Sequence, residues 1–425
     1  MLDIKFIRED AETVKKALAR RGADAAQIGS VVEADKKRRA IIQEVEGLKA
    51  ENNRASSEIA KMKKEGRDAS GAIAGMKAVT DKIKALDSEL SSIEARVNET
   101  LLGLPNIPHG SVPDGADDKS NKLILEWGEK PSFSFKPLPH WEIGEKLDIL
   151  DNDRAAKITG ARFTVYKGAG ALLERALINF MLDIQTREHG YTEVAPPVLV
   201  NRASMTGTGQ LPKFEDDSFK LAEPDWFLSP TAEVQVTNMH REEIIPAAKL
   251  PIYYAAYTPC FRKEAGAHGK DTKGIIRMHQ FNKVELVKFV LPETSFDELE
   301  KLLKNAEEIL KRLNLHYRVM LLCAGDTGFA SAKTYDIEAW QAGAEAYREV
   351  SSCSNFTDFQ ARRASIKYRG ADNKPVFLHT LNGSGLATSR LLPAILEAYQ
   401  TKDMEVIVPE VLRPYMGGID RITKK

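Results

Sequence analysis

Two stretches near the start of the chain repeat apolar residues at alternating intervals of four and three. In the first, Ile41, Val45, Leu48, Asn52, Ala55, Ile59 and Met62 follow one another at 4, 3, 4, 3, 4, 3. In the second, Met76, Val79, Ile83, Leu86, Leu90, Ile93 and Val97 follow at 3, 4, 3, 4, 3, 4. Such a heptad seam sits on one stripe of a helix, and two seams in succession predict two helices that bury their stripes against each other. Gly66 and Ser70-Gly71 fall between them, where the chain must reverse, so the expectation is an antiparallel coiled-coil hairpin. Ser30-Val31-Val32-Glu33 has the form of a capping box and predicts the start of the first helix at Ser30. Asn52 interrupts the seam and reads as a register-setting residue.

The hairpin region carries Lys36, Lys37, Arg38, Arg39, Lys49, Arg54, Lys61, Lys63 and Lys64, interspersed with Glu44, Glu46, Glu51 and Glu58. A mixed face of this kind fits a solvated dimerisation or spacer coil as well as an arm for nucleic-acid phosphates, and the charge pattern alone leaves both open. Across all 425 residues, 61 basic side chains balance 61 acidic ones, so a global polyanion binder is not indicated. With 43% hydrophobic residues the chain can bury a sizeable core. It has no apolar run of the roughly 18 residues that a membrane helix needs, and its first residues do not read as a signal peptide. Cys260, Cys323 and Cys353 are too few and too scattered for a disulfide framework, and with eight histidines they form no zinc-ligand spacing. A soluble, cytoplasmic protein without zinc is expected.

Composition changes near residue 104. No proline precedes it, whereas six of the 19 prolines fall between Pro105 and Pro139. Proline lacks an N–H and fixes φ, so this stretch cannot extend the hairpin. The expected organisation is an N-terminal domain over 1–104, a linker over 105–139 and a second domain over 140–425. The latter alternates helical segments, such as Ala171–Leu182, with β-branched and aromatic runs, such as Gln280–Val287 and Tyr317–Leu322. With no Gly-x-Gly-x-x-Gly and no Walker loop, a parallel nucleotide-binding sheet is not indicated, and an α+β domain is expected.

Three clusters in this domain carry chemistry. Phe261-Arg262-Lys263-Glu264 leads through the basic, glycine-rich stretch 265–274 to Arg277 and the strand at Gln280. Its guanidinium groups suit phosphate or carboxylate oxygens, although a hairpin with structural ion pairs has the same composition. Glu349-Val350-Ser351-Ser352 offers a carboxylate and a hydroxyl, oxygen ligands of the kind Mg²⁺ takes. Thr380-Leu381-Asn382-Gly383-Ser384-Gly385 precedes a helix that bears Arg390, where small residues admit a ligand close to the backbone.

Together with Thr231-Ala232-Glu233 these clusters resemble a known family. Phe261-Arg262-x-Glu264 and the following strand look like motif 2 of class II aminoacyl-tRNA synthetases. Asn382 to Arg390 is similar to motif 3, and Ala171–Leu182 with the strand ending at Pro196-Pro197 is similar to motif 1. The Thr231 triplet, Phe281-Asn282-Lys283-Val284-Glu285, Glu349–Ser352, Leu104-Pro105-Asn106-Ile107-Pro108-His109 and the hairpin resemble the seryl-tRNA synthetase branch in particular.

The resemblance implies an N-terminal antiparallel helical hairpin plus a class II antiparallel sheet flanked by helices. It also implies ATP-dependent activation of serine and transfer to the 3′-terminal adenosine of tRNA(Ser), with tRNA(Sec) left open. The implied ATP site comprises Arg262, Lys263, Glu264, Phe281, Glu349, Val350, Ser351, Ser352 and Arg390, with Arg262 and Arg390 catalytic and Glu349 and Ser352 on Mg²⁺. The implied serine site comprises Thr231, Ala232, Glu233, Arg277, Glu285, Thr380, Asn382 and Ser384. A homodimer is also implied. An enzyme that loads a carrier protein would have no use for the long hairpin, and a non-catalytic paralogue would be expected to lack one of Arg262, Glu349 or Arg390.

Overall fold

The computed structural model describes residues 1–264 and 273–424. The chain divides into two compact units, Leu2–Pro105 and Asn106–Lys425, with Met1 grouped with the second.

In the first unit, two short helices precede α1 (Ala26–Lys64) and α2 (Ser70–Gly103). The 39 residues of α1 extend about 58 Å at the usual rise per residue. The two seams meet: Ile41, Val45 and Ile83 are buried against each other, with Leu48, Val79, Leu86, Leu90 and Ile93 packed around them. Gly66, at φ +70°, lies in the reversal. Asn52 Oδ1 is buried without a hydrogen-bond partner among the described residues, a local cost consistent with a polar residue kept in the seam.

The helix start differs from expectation. Asp24 accepts the Ala26 N–H at 2.8 Å, so α1 begins before Ser30, whose hydroxyl instead bonds back to the Gln27 carbonyl. Fully buried Asp35 gathers Arg8, Arg38 and Arg39 at 3.1–3.3 Å and ties the base of the hairpin to the first helix of the chain. Lys37 pairs with Glu89, Lys49 with Asp87, and Lys82 with Glu44 across the hairpin. Of the basic residues singled out above, Lys36, Arg54, Lys61, Lys63 and Lys64 form no ion pair among the described residues, and three of these five cluster at the end of α1.

The second unit is built on an eight-stranded sheet. In chain order its strands are β1 (Lys122–Trp127), β2 (Thr192–Glu193), β3 (Ile252–Phe261), β4 (Gln280–Val290), β5 (Tyr317–Leu321), β6 (Lys333–Gln341), β7 (Ala346–Asn355) and β8 (His379–Ala387). The spatial order is β1-β5-β6-β7-β8-β4-β3-β2. All neighbours are antiparallel except β2 with β3. The α+β architecture is therefore as expected. The proline-rich 105–139 stretch differs from a free linker, because Leu123-Ile124-Leu125 within it has enough apolar and β-branched character to form the edge strand β1 against β5.

Strand residues alternate between the two faces of the sheet. On one face Val284, Leu286, Ile337, Cys353, Leu381 and Leu386 join a core with the helices α3 (Ala169–Arg187), α4 (Ser295–Arg312) and α5 (Thr388–Ala398). The opposite face carries Phe281, Lys283, Glu285, Asn382, Ser384, Ser352 and Ser354, paired across strands as Ser384 with Glu285 and Ser354 with Asn382. Gly383 faces the core, where a Cβ would come within 2.8 Å of Cys353 Sγ and 3.3 Å of Leu302 on α4, so a side chain there would crowd the packing of α4 on the sheet.

Candidate functional site

A cleft of about 360 Å³ opens on the polar face of the sheet. Thirteen of the residues singled out in the sequence line it: Thr231, Glu233, Arg262, Glu264, Arg277, Phe281, Glu285, Glu349, Val350, Ser352, Asn382, Ser384 and Arg390. Two ladder irregularities shape it. Val350 is an extra residue between the Ile337–Ser351 and Glu338–Glu349 pairs, and Gly385 is extra between Ser384 and Leu386. Such bulges re-aim neighbouring side chains, which explains how Glu349 and Ser352, three apart, both reach the cleft.

Three groups of side chains line the cleft. In the first, Arg262 follows the end of β3, its Nε donating to the Pro230 carbonyl and its guanidinium lying 5.3 Å from the centre of the Phe281 ring. In the second, Arg390, in the first turn of α5, donates to the Glu349 carbonyl at 2.8 Å and pairs with its carboxylate at 3.2 Å. Enclosure raises the pKa of Glu349, but the cations of Arg390 and Arg262 more than offset it, so this carboxylate stays below its ordinary value. Arg277 pairs with Glu264 at 3.3 Å.

In the third group, Lys283 Nζ pairs with Glu285 Oε2 and donates to Thr231 Oγ1 at 2.8 Å, while Thr231 Oγ1 donates to the same Glu285 oxygen at 3.2 Å. Thr231 also caps the helix Ala232–Asn238, which fixes its hydroxyl. Burial and the neighbouring Glu285 push the Glu233 carboxyl up to about 7, against the pull of Lys283 and of bonds from Gln360 and Asn382.

Four of the singled-out residues are not in the lining. Ser351 has the opposite strand parity and is buried, donating to the Ser384 carbonyl at 2.7 Å. Ala232 packs in the apolar cluster of Val236, Val287 and Phe289. Lys263 holds the Asp217 carbonyl through its backbone N–H. Thr380 is fully buried and acts at one remove: its hydroxyl donates to Gln360 Oε1 at 2.7 Å, and Gln360 Nε2 donates to Glu233 at 2.6 Å. The basic glycine-rich stretch 265–272 lies outside the described residues.

Several supporting residues are absent from the sequence reading. Asp336, opposite Ser352 on β6, has its carboxyl pushed well above the ordinary value by burial and by Glu349, and its Oδ1 has no hydrogen-bond partner among the described residues. Fully buried His140 lies within 2.8 Å of Glu397 Oε1 through Nδ1 and accepts the Ile275 N–H at Nε2, which links α5 to the return of the Arg262 loop. A Cβ on Gly274, where φ is +75°, would overlap that imidazole at 2.1 Å. Glu174 of α3 accepts from Asn282 of β4 and Thr388 of α5 and so joins three elements around the cleft. Lys283 is named above only as part of the Phe281–Glu285 run, and its alternation with Phe281 and Glu285 on one strand is the signal that places it on the cleft face.

The family model "tRNA synthetase class II core domain (G, H, P, S and T)" matches residues 214–399, and "Seryl-tRNA synthetase N-terminal domain" matches residues 1–108. The core match and the antiparallel sheet make the chain a class II aminoacyl-tRNA synthetase. A curated serine–tRNA ligase from Geobacter sulfurreducens is 60% identical over 423 residues, covering 99% of this chain and 100% of the relative. The crystal structure of seryl-tRNA synthetase from Pyrococcus horikoshii complexed with ATP superposes with a TM-score of 0.94 at 39% identity, covering 100% of both chains. The cytoplasmic serine–tRNA ligase from Naegleria fowleri in complex with AMP gives 0.89 at 32% identity, covering 100% of this chain and 99% of that one. The chain belongs to the seryl-tRNA synthetase family.

Proposed function

We propose that the cleft activates serine with ATP and then passes the seryl group to the terminal adenosine of tRNA(Ser). The observation that carries this reading is the convergence of Arg262, Arg390 and Glu349 with Thr231, Glu233 and Glu285 in one cleft. Arg262 would hold the α-phosphate while the serine carboxylate attacks the α-phosphorus and pyrophosphate departs. The nucleophile is already ionised, so the enzyme's task is alignment and stabilisation of charge on the phosphoryl oxygens. Arg390 would hold the outer phosphates, Phe281 would stack on adenine, and Glu264 would turn from Arg277 to accept the adenine amino group. The serine ammonium would sit against Glu233 and its hydroxyl against Glu285, with Arg277, Asn382 and Ser384 completing the pocket and Thr380 acting through Gln360.

A divalent cation fits this donor set. Glu349 and Ser352 supply hard oxygen ligands, and opposite Ser352 the buried Asp336 Oδ1 has no hydrogen-bond partner among the described residues, which leaves a further oxygen donor beside them. Bound there, Mg²⁺ would neutralise phosphate oxygens of the nucleotide. The hairpin would grip the tRNA through its unpaired lysines, in a cytoplasmic homodimer; tRNA(Sec) is a second acceptor to assay.

Three measurements test the reading. ATP–pyrophosphate exchange across the twenty amino acids is expected to respond to serine and to no other to a comparable degree; exchange driven by another amino acid would overturn the assignment. Because Glu233 attracts an ammonium only when ionised, kcat/KM for serine should rise with pH through an apparent pKa near 7. The Glu233→Gln enzyme should be weaker and flat over that range, and an unaltered profile in the variant would remove Glu233 from the ammonium site. Finally, replacing residues 51–79 with a short turn keeps the Asp35 cluster and the Ile41–Val45–Ile83 core. It should leave serine-dependent exchange intact and weaken tRNA charging by at least about tenfold, since each lost phosphate contact lowers affinity. Normal charging by the shortened chain would contradict the hairpin's role.

A further inference from the structure

The charge balance of the amino-acid end of the cleft points to a role for a residue that the proposed reaction does not use directly. Lys283 is 6% exposed, yet its side chain lines the cleft. It lies two residues before Glu285 on β4, so both point to the same face. Glu285 Oε2 is engaged twice, by Lys283 Nζ and by the Thr231 hydroxyl. The other oxygen, Oε1, has no protein partner among the described residues. We propose that Lys283 is a specificity residue: by neutralising Glu285 while leaving Oε1 open, it lets the pocket take a substrate hydroxyl and reject an ammonium group of the same size. This rests on the reading above that Glu285 meets the substrate side chain.

The charges at this end of the cleft nearly cancel. Glu233 and Glu285 bring two negative charges when ionised, and Lys283 brings one positive, leaving one negative charge to match the single ammonium of serine. The substrate carboxylate is directed away, to the reacting phosphate near Arg262. Without Lys283 the two carboxylates would match two ammonium groups, the pattern of L-2,3-diaminopropionate, in which an amine replaces the serine hydroxyl. Hydroxyl and ammonium are nearly the same size, so shape cannot separate them, and discrimination must come from the energy of an unbalanced enclosed charge. Repulsion of the wrong ligand is then as much a part of specificity as attraction of the right one.

The test is ATP–pyrophosphate exchange with L-serine and with L-2,3-diaminopropionate at pH 6, 7 and 8, which span the titration of Glu233 and of the second amino group of diaminopropionate, for the native enzyme, Lys283→Met and Lys283→Arg. The native enzyme and Lys283→Arg, which keeps the charge, should both favour serine strongly. In Lys283→Met the ratio of kcat/KM for serine over diaminopropionate should fall by at least about tenfold. A ratio unchanged within about twofold, with activity lost equally for both amino acids, would overturn the proposal and assign Lys283 to the phosphates or to packing. If Lys283→Met is too slow for exchange, the thermal shifts induced by the 5′-O-sulfamoyl adenosine analogues of the two amino acids give the same comparison. If it fails to fold, Lys283→Gln takes its place. Glu285→Ala distinguishes the two levels of the argument: unaffected serine exchange in that variant would remove Glu285 from the substrate pocket whatever Lys283 does.

Discussion

Replacing Arg262 with alanine is expected to slow seryl-adenylate formation by at least about 10²-fold, the scale found when one preorganised donor to a developing charge is removed. The guanidinium is poised in the cleft rather than consumed by structure. Its Nε bond to the Pro230 carbonyl and its contact with the Phe281 ring orient it. Neither is a buried ion pair whose loss would unfold the domain, so the melting temperature should move little. The loss should appear in the rate of the first chemical step, measured by single-turnover formation of the adenylate at saturating ATP. The Arg262→Lys substitution keeps the charge but not the forked geometry, and should retain only part of the rate. Full activity in Arg262→Ala would remove this residue from the phosphate site, along with the alignment argument built on it.

Glu285→Ala should have the larger effect on selection. A site built to bond a substrate hydroxyl discriminates by on the order of 10⁴, because a buried partner is left unmatched when the hydroxyl is missing. Removing the carboxylate discards that discrimination and also leaves Lys283, only 6% exposed, without its counter-ion, which is itself destabilising. The two consequences are separable. Glu285→Gln preserves size and an acceptor oxygen but not the charge, so it should share the stability defect while keeping part of the selectivity for serine over alanine. Both variants are read by kcat/KM in the exchange assay beside their thermal unfolding. Unchanged serine-over-alanine selectivity in Glu285→Ala would show that another group reads the hydroxyl.

The features most legible in the sequence are those set by short-range periodicity. The seams of α1 and α2 meet as their heptads require, because one apolar stripe on each helix leaves few other ways to hide them. The strand Gln280–Val290 carries Phe281, Lys283 and Glu285 on one face by the same reasoning. What the chain conceals are contacts that depend on distant partners. A serine beside Cys353 looks the same in sequence whether it faces ligand or core; alternation separates Ser351 from Ser352, and the extra residue at Val350 is what brings Glu349 onto the cleft face with Ser352. Thr380 reaches Glu233 only through Gln360, from a different element. His140 lies 135 residues before Ile275 and 257 before Glu397, so no local pattern could announce that it joins them. The start of α1 lies ahead of the capping box for a related reason: an aspartate outside that box supplies the first bond.

The most direct measurement is a crystal structure of the enzyme with 5′-O-(N-L-seryl)sulfamoyl adenosine, a stable analogue of the adenylate. The account predicts the sulfamoyl oxygens within hydrogen-bond reach of Arg262, the adenine against Phe281, and the serine hydroxyl on the open oxygen of Glu285. An analogue bound with its seryl group away from Thr231, Glu233 and Glu285, or with Arg262 turned from the sulfamoyl group, would contradict it.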